Sequence, residues 1–263
     1  PPHNTPARLC AQRATSLWCR NSGEKTGSSR QAKESAGSGV TTVQLAPIAG
    51  REEQIRRLFW ETVTIGHPLP FELTCAKHYE NLGLNWYLIN GAADSTVALV
   101  DGEVVGYSLV CCDSESFHQV QRKYFVILVV SVLLALITGR SNKESRRFYW
   151  LRLQDSLTIS RTRKVLPKNV HMHAHLNVGH GFQDGSVSRK LRDHADQVCL
   201  SYGATAYFGE INAVGGRRIL GLHRVGGQIV NDSTNKTFSW LTGQDVHRLT
   251  LIRHLTANEQ QAA

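Results

Sequence analysis

The sequence predicts one α/β domain with a mixed, largely antiparallel sheet flanked by helices, and three features point to it. With 263 residues, 41% of them apolar, the chain can bury one good-sized core or at most two small ones. A pair of β-branched runs flanks the dipeptide Asp101-Gly102. From His171 onward, apolar residues recur at period two, then at helical spacing, then at period two again.

The first forty residues are rich in Ser, Gly, Arg and Ala and hold six basic and two acidic residues without a sustained apolar period. They read as a disordered basic tail, either a targeting segment or an extension, with a short second tail at 259–263. Order is expected from Thr41 to about 258. TTVQLAPI reads as a strand, and Gly50 opens a helix with Glu52 and Glu53 in its positively polarised first turn and Ile55, Leu58, Phe59 and Val63 on one face. The Asp-Gly dipeptide predicts a hairpin of residues 95–100 and 103–111.

A helical insertion is expected at about 117–168. It contains YFVILVVSVLLALIT, residues 124–138, which carry no charge and are bounded by Arg122, Lys123 and Arg140. At fifteen residues the run falls short of the roughly twenty that a spanning helix needs. It is expected to be a helix buried in the protein or in a homo-oligomer contact, with a membrane contact as the other reading. Phe148, Leu151, Leu153 and Leu157 follow at helical spacing, as on a helix laid over a core.

HMHAHLNV, residues 171–178, alternates as a strand, and GHGFQDG is a loop. Ser186 to Tyr202 is a helix with Val187, Leu191, Ala195, Val198 and Tyr202 on one face, ended by Gly203. A strand at 205–213, a helix from about 216 to 225 closed by Gly226-Gly227, and two final strands within 228–241 and 246–255 complete the reading. The strands at 171–178 and 205–213 should be the one parallel pair, with the helix at 186–202 crossing between them.

The charge excess of +9 is shared between tail and body, so no nucleic-acid partner is expected. None of the six cysteines forms a CxxC pair, which favours reduced thiols and a cytoplasmic location over a disulfide framework or zinc. His171, His173 and His175 lie along one face of a strand, which reads as a metal site or a proton relay; such a line seldom closes a metal shell, so no metal is expected. Two Asn-x-Ser/Thr strings, at Asn231 and Asn235, match the glycosylation pattern, which is frequent by chance.

The helix entered through Gln183, Asp184, Gly185, Ser186, Val187 and Ser188 presents free backbone N–H groups and a partial positive charge, suited either to an anion or to an ordinary serine cap. Neither GxGxxG nor GxxxxGK[ST] occurs there. The stretch HLNVGHGFQDGSVSRKL resembles motif A of the GNAT superfamily of acyl-CoA N-acyltransferases, in which a strand leads into a [QR]xxGx[GA] loop that holds the coenzyme A pyrophosphate. Gln183 matches its first position, and Ser186 and Ser188 stand at the two small-residue positions.

The resemblance implies a GNAT-like sheet with its insertion before the motif A strand, and an acetyl-CoA-dependent N-acetyltransferase working by direct transfer to an amine-bearing acceptor, small molecule or protein. It also implies that Leu176, Asn177 and Val178 lend backbone to the pantetheine arm. The alternative is an inactive coenzyme A-binding or membrane-associated module. Leu222 stands where many members carry a tyrosine that protonates the leaving thiolate. Glu210, with Asn212 on the same face of its strand, is the expected acceptor of the ammonium proton. The competing reading of Glu210 is a carboxylate paired with a base such as Arg217 or Arg218, and a single histidine, His175, is the alternative to Glu210 in the proton route.

Overall fold

The computed structural model describes residues 42–162, 166–182, 185–215 and 227–255. The expected tails, Gln183, Asp184, the helix near 216–225 with Arg217, Arg218 and Leu222, and Gly226 lie outside the described residues. In chain order the strands are β1 (Gln44–Pro47), β2 (Thr96–Val100), β3 (Glu103–Cys111), β4 (His173–Val178), β5 (Ala206–Val214), β6 (Gln228–Thr234) and β7 (Val246–His254). The helices are α1 (Glu52–Thr62), α2 (Ala76–Ile89), α3 (Ser114–Ile137), α4 (Lys143–Thr162), α5 (Ser186–Ser201) and, in the connection between β6 and β7, α6 (Lys236–Thr242).

The seven strands form one sheet in the order β1-β2-β3-β4-β5-β7-β6. Every neighbouring pair is antiparallel except β4 with β5, the parallel pair expected from the sequence. The β2–β3 turn forms because Asp101 and Gly102 both adopt positive φ, 51° and 84°, which matches the twist of the strands it joins.

Helices cover both faces. Ile55 and Leu58 of α1 and Leu84, Trp86 and Tyr87 of α2 pack on Tyr107, Leu109 and Cys111 of β3. On the other face, Val187, Leu191, Ala195 and Cys199 of α5 meet Ala98, Val105, Ala174 and Tyr207. Gly106 permits that approach: a Cβ there would lie 3.0 Å from the Leu191 side chain and 3.1 Å from Val187. Buried Glu80 ties α1 to α2, accepting from Arg56 at 2.5 Å, Lys77 at 2.7 Å and the Trp60 indole at 2.8 Å.

The structure corrects the sequence reading in five places. Helix α2 has no counterpart in it. The second half of the first closing run is not a strand: Lys236–Thr242 is α6, because Asn235 caps it at 3.0 Å and buried Asp155 of α4 accepts from the N–H groups of Lys236 and Thr237 at 2.9 and 3.0 Å. On α5 it is Cys199 that is buried; Tyr202, 56% exposed, sits past the helix end and donates to Asp94. On α4 the inward face is Ser145, Phe148 and Asp155, while Leu153 and Leu157 are exposed.

The largest correction concerns residues 124–138. They are helical, but the helix starts at Ser114, where the Asp113 carboxylate accepts from the Ser116 N–H at 3.0 Å, and runs 24 residues. Its buried residues are Phe117, Leu128 and Ala135 alone, so the run is not buried within the chain.

Candidate active site

Strands β4 and β5 meet at a single bridge, His173 opposite Phe208, supported by the Phe208 N–H donating to Met172 O at 3.0 Å. Beyond that point the two diverge. β4 remains paired with β3 through six residues, and β5 with β7 through nine. In an antiparallel ladder successive residues direct their backbone groups to opposite edges, and the Gly179 N–H donates to Val105 O on the β3 side. Leu176 therefore turns its N–H and C=O toward the gap. No β5 partner meets them among the described residues. A wedge lined by free peptide groups can take a ligand's amides as an added strand would.

The first turn of α5 follows directly. Gly185 at its N-cap has φ 94°, offers no side-chain cap, and would have open space around a Cβ. The turn contains no acidic residue, and Arg189 is exposed one turn in. Backbone N–H groups, the helix dipole and a guanidinium make this end hospitable to a phosphate. Ser186 is exposed there. Val187 is 1% exposed and packs in the core, so only its backbone is available to a ligand.

The Asn177 side chain is occupied. Its Nδ2 donates to Thr62 Oγ1 of α1 and, at 3.1 Å, to Tyr107 Oη, while its Oδ1 accepts from the Val178 N–H at 3.0 Å. Asn177 thus fixes β4 to α1, and Val178 has its N–H engaged by that side chain. Of the three β4 residues named for the pantetheine arm, Leu176 has the backbone free on the open side.

His175, Glu210 and Arg248 come together on the face of the sheet that also carries α1 and α2. The partner of Glu210 is Arg248 of β7, whose Nη2 donates to Glu210 Oε2. The register places Arg248 opposite Asn212, next along the face from Glu210, which only the β5–β7 pairing reveals. Asn212 accepts from Asn235 Nδ2 at 2.8 Å and so belongs as much to the cap of α6 as to the site.

The ring of His175 is open to solvent but closely surrounded by protein, as at the floor of a cleft. Burial lowers its pKa, Arg248 lowers it further, and Glu210 opposes both. His173 is engaged elsewhere, its Nε2 2.7 Å from Tyr87 Oη and its ring against Phe117 and Phe208. His171 is exposed outside the strand. The three histidines thus have different surroundings, and among the described residues no metal-binding group forms. Cys75, Cys111, Cys112 and Cys199 are free thiols.

A concavity elsewhere is less suited to the chemistry. Of about 530 Å³, it lies by β1 and β2 and is lined by Ala46, Pro47, Ala92, Ser95, Thr96 and His194. Burial lowers the pKa of His194, and its Nδ1 has no partner among the described residues. One imidazole in an apolar and hydroxyl lining supplies no charged pair. The wedge between β4 and β5 sets the Glu210–Arg248 pair beside the open backbone of Leu176, and it is the candidate site.

No family model and no curated protein matches the chain. Among solved structures it is similar to SsHAT, with 16% identity over 80% of this chain and 97% of that one, at a TM-score of 0.53. Weaker superpositions, at 0.46 and 0.45, are with a Drosophila melanogaster polyamine N-acetyltransferase that forms N-acetylagmatine (16% identity, 81% and 100% covered) and with yncA of Salmonella typhimurium, solved with acetyl-CoA as its cofactor (12%, 82% and 96%). The likeness that SsHAT carries is one of fold.

Proposed function

Given that the chain has the GNAT fold, we propose that it is an acetyl-CoA-dependent N-acetyltransferase that moves the acetyl group directly to an amine. The observation that carries this reading is the opening of β4 from β5 immediately before the start of α5, whose N-cap residue is Gly185. One arm of an extended thioester ligand needs free peptide groups and its diphosphate needs N–H donors, and the two lie in sequence along this wedge.

When bound, acetyl-CoA supplies an activated thioester. In this reading the backbone of Leu176 orients its arm, and Gly185, Ser186, Val187 and Ser188 offer the pyrophosphate their first-turn N–H groups, with Arg189 adding positive charge. Gln183 and Asp184 are proposed to complete that grip. Holding donor and acceptor in line accounts for much of the rate.

The acceptor arrives mostly as an ammonium and must lose a proton before attack. Glu210 is proposed to attract it, and His175 to take the proton directly or through a water. The division follows from the geometry: the Glu210 carboxylate is already taken by Arg248, whereas burial and Arg248 disfavour the protonated form of His175, the form that could not accept the proton. Asn212 is proposed to hold this end of β5 in place through Asn235.

The test is an assay of the full chain with acetyl-CoA and a panel of polyamines, aryl amines, amino acids and peptide N-termini, following thiol release and product mass. Acetylated product from one class is expected. Coenzyme A binding without transfer to any acceptor would favour the inactive binding module, and absence of coenzyme A binding would remove the reading altogether.

A further inference from the structure

We propose that α3 is an in-plane membrane anchor that seats this protein on an anionic bilayer surface. Between Tyr124 and Ile137 the helix touches its own protein along one narrow strip, marked by Leu128 and Ala135, one pair of turns apart. Half-buried Ile127, Ser131 and Val132 flank that strip, and the outward face is exposed and apolar: Phe125, Val126, Val129, Val130, Leu133 and Leu134 are between 38% and 58% accessible, and Ile137 is 82% accessible. Soluble proteins rarely leave so broad an apolar face uncovered. At 1.5 Å per residue it is about 20 Å long.

The fold decides how the helix meets a bilayer. β3 ends at Cys111, just before α3, and β4 begins at His173, after α4, yet the two strands pair through six residues. Both ends of α3 are therefore held on one side of any membrane. A single crossing would require that ladder to break. The N-terminal half is also fastened to α2, where Gln121 Nε2 donates to Leu82 O at 2.6 Å and Asn85 Nδ2 to Tyr124 Oη at 2.8 Å. Lying in the interface with its outer face among the acyl chains satisfies the apolar surface and leaves the sheet intact.

Charge selects the occupant. Exposed Arg122 and Lys123 precede the apolar face on the same outward side, and exposed Arg140 and Lys143 follow it. Glu115 and Glu144 lie farther along the chain at either end. A second copy docking by a two-fold axis would bring basic ends to basic ends whether the helices ran parallel or antiparallel. A leaflet containing anionic lipid presents negative headgroups to both ends while its hydrocarbon takes the face between them.

The test is flotation of the full-length chain with vesicles of phosphatidylcholine alone and of phosphatidylcholine with phosphatidylserine. The chain should float with the second and far less with the first. Val129→Asp with Leu133→Asp should abolish flotation while leaving the circular dichroism spectrum and melting temperature unchanged, since both side chains are already exposed. Arg122→Gln with Lys123→Gln, which leaves the apolar face untouched, should weaken binding to the anionic vesicles by about fivefold per residue removed.

Failure to float with either vesicle would overturn the proposal. So would flotation of the Asp variant at the wild-type level. A vesicle-free dimer that the Asp variant converts to a monomer would assign the face to a subunit contact instead.

Discussion

Helices α5 and α3 solve opposite problems with the same geometry. α5 buries Val187, Leu191, Ala195 and Cys199 on one stripe against the sheet and turns Arg189, Lys190 and Asp193 outward. α3 carries apolar residues on every side from Tyr124 to Ile137 and buries two of them. A helix with one apolar stripe is specified by its sheet. A helix apolar all round needs an apolar medium beyond its own domain. In the proposed reading the two also divide the labour, α5 holding the cofactor's charge and α3 holding the protein to its surface.

The comparison is tested most severely at the cleft, because chemistry there should fail without any change at α3. His175→Gln is expected to lower kcat/KM by about 10²–10⁴, the usual cost of losing a general base, with vesicle binding unchanged. The acid limb of the wild-type pH profile should lie below the ordinary histidine range, since burial and Arg248 disfavour protonation. Glu210→Gln keeps the shape, removes the charge and leaves Arg248 unopposed. It should reduce the rate and displace that limb further toward acid. A limb unmoved in that variant, or full activity after loss of His175, would break the proposed division between the two groups.

Next in size is packing. Leu191, fully buried, should cost about 2–5 kcal/mol on replacement by alanine. The same change at Leu133, 52% exposed on α3, should stay within about 0.5 kcal/mol in aqueous buffer. Denaturant midpoints measure both. A large loss at Leu133 without membranes would mean that α3 is covered by protein after all.

What was legible in the sequence was local. Asp101-Gly102 announced its turn because the conformation belongs to two residues, and alternation from His173 to Val178 announced β4 because the strand has a helix-covered face. The missed features depend on partners distant in sequence. In α2 the buried stripe Glu80, Leu84, Tyr87 and Leu88 opens on a carboxylate and Trp86 is buried off it, since the helix is covered by α1, the sheet and α3 together. TFSWL resembles a strand, and its helical state depends on Asp155, eighty-one residues before Lys236. Glu210 was visible as a carboxylate sharing a face with Asn212, but its partner Arg248 emerges only from the β5–β7 register. The exposure of α3 was hidden for the same reason, because an apolar run does not state what covers it.

That dependence on remote capping gives a smaller test. Replacing Asn235 by alanine removes the acceptor for the Phe238 N–H and the donor to Asn212. A loss of about 1 kcal/mol is expected for the cap. If Asn212 positions this end of β5, kcat should also fall slightly while acetyl-CoA affinity holds. An unchanged melting temperature would show that Asp155 alone maintains α6.

The smallest effect is an acid-dependent one, away from both α3 and the cleft. Burial would raise the pKa of Glu80, but hydrogen bonds from Lys77, Trp60 and Arg56 outweigh it and bring the folded value below the ordinary carboxylate range. A depressed folded pKa means that the unfolded chain binds the proton more readily. The stability this group contributes is therefore complete above the unfolded pKa near 4.3 and is lost as pH falls through the lower, folded value. One group can contribute a slope of at most about 1.4 kcal/mol per pH unit. Other carboxylates are ion-paired too, such as Asp196 with Arg253, so the useful quantity is a difference between variant and wild type. Glu80→Gln, less stable at neutral pH because Arg56 and Lys77 lose their counter-charge, should show a shallower decline between pH 5 and 3 than the wild type, a range set by the unfolded carboxylate value of about 4.3. Parallel declines would mean that the α1–α2 tie rests on the neighbouring Arg56–Asn85 bond and packing rather than on the charge of Glu80.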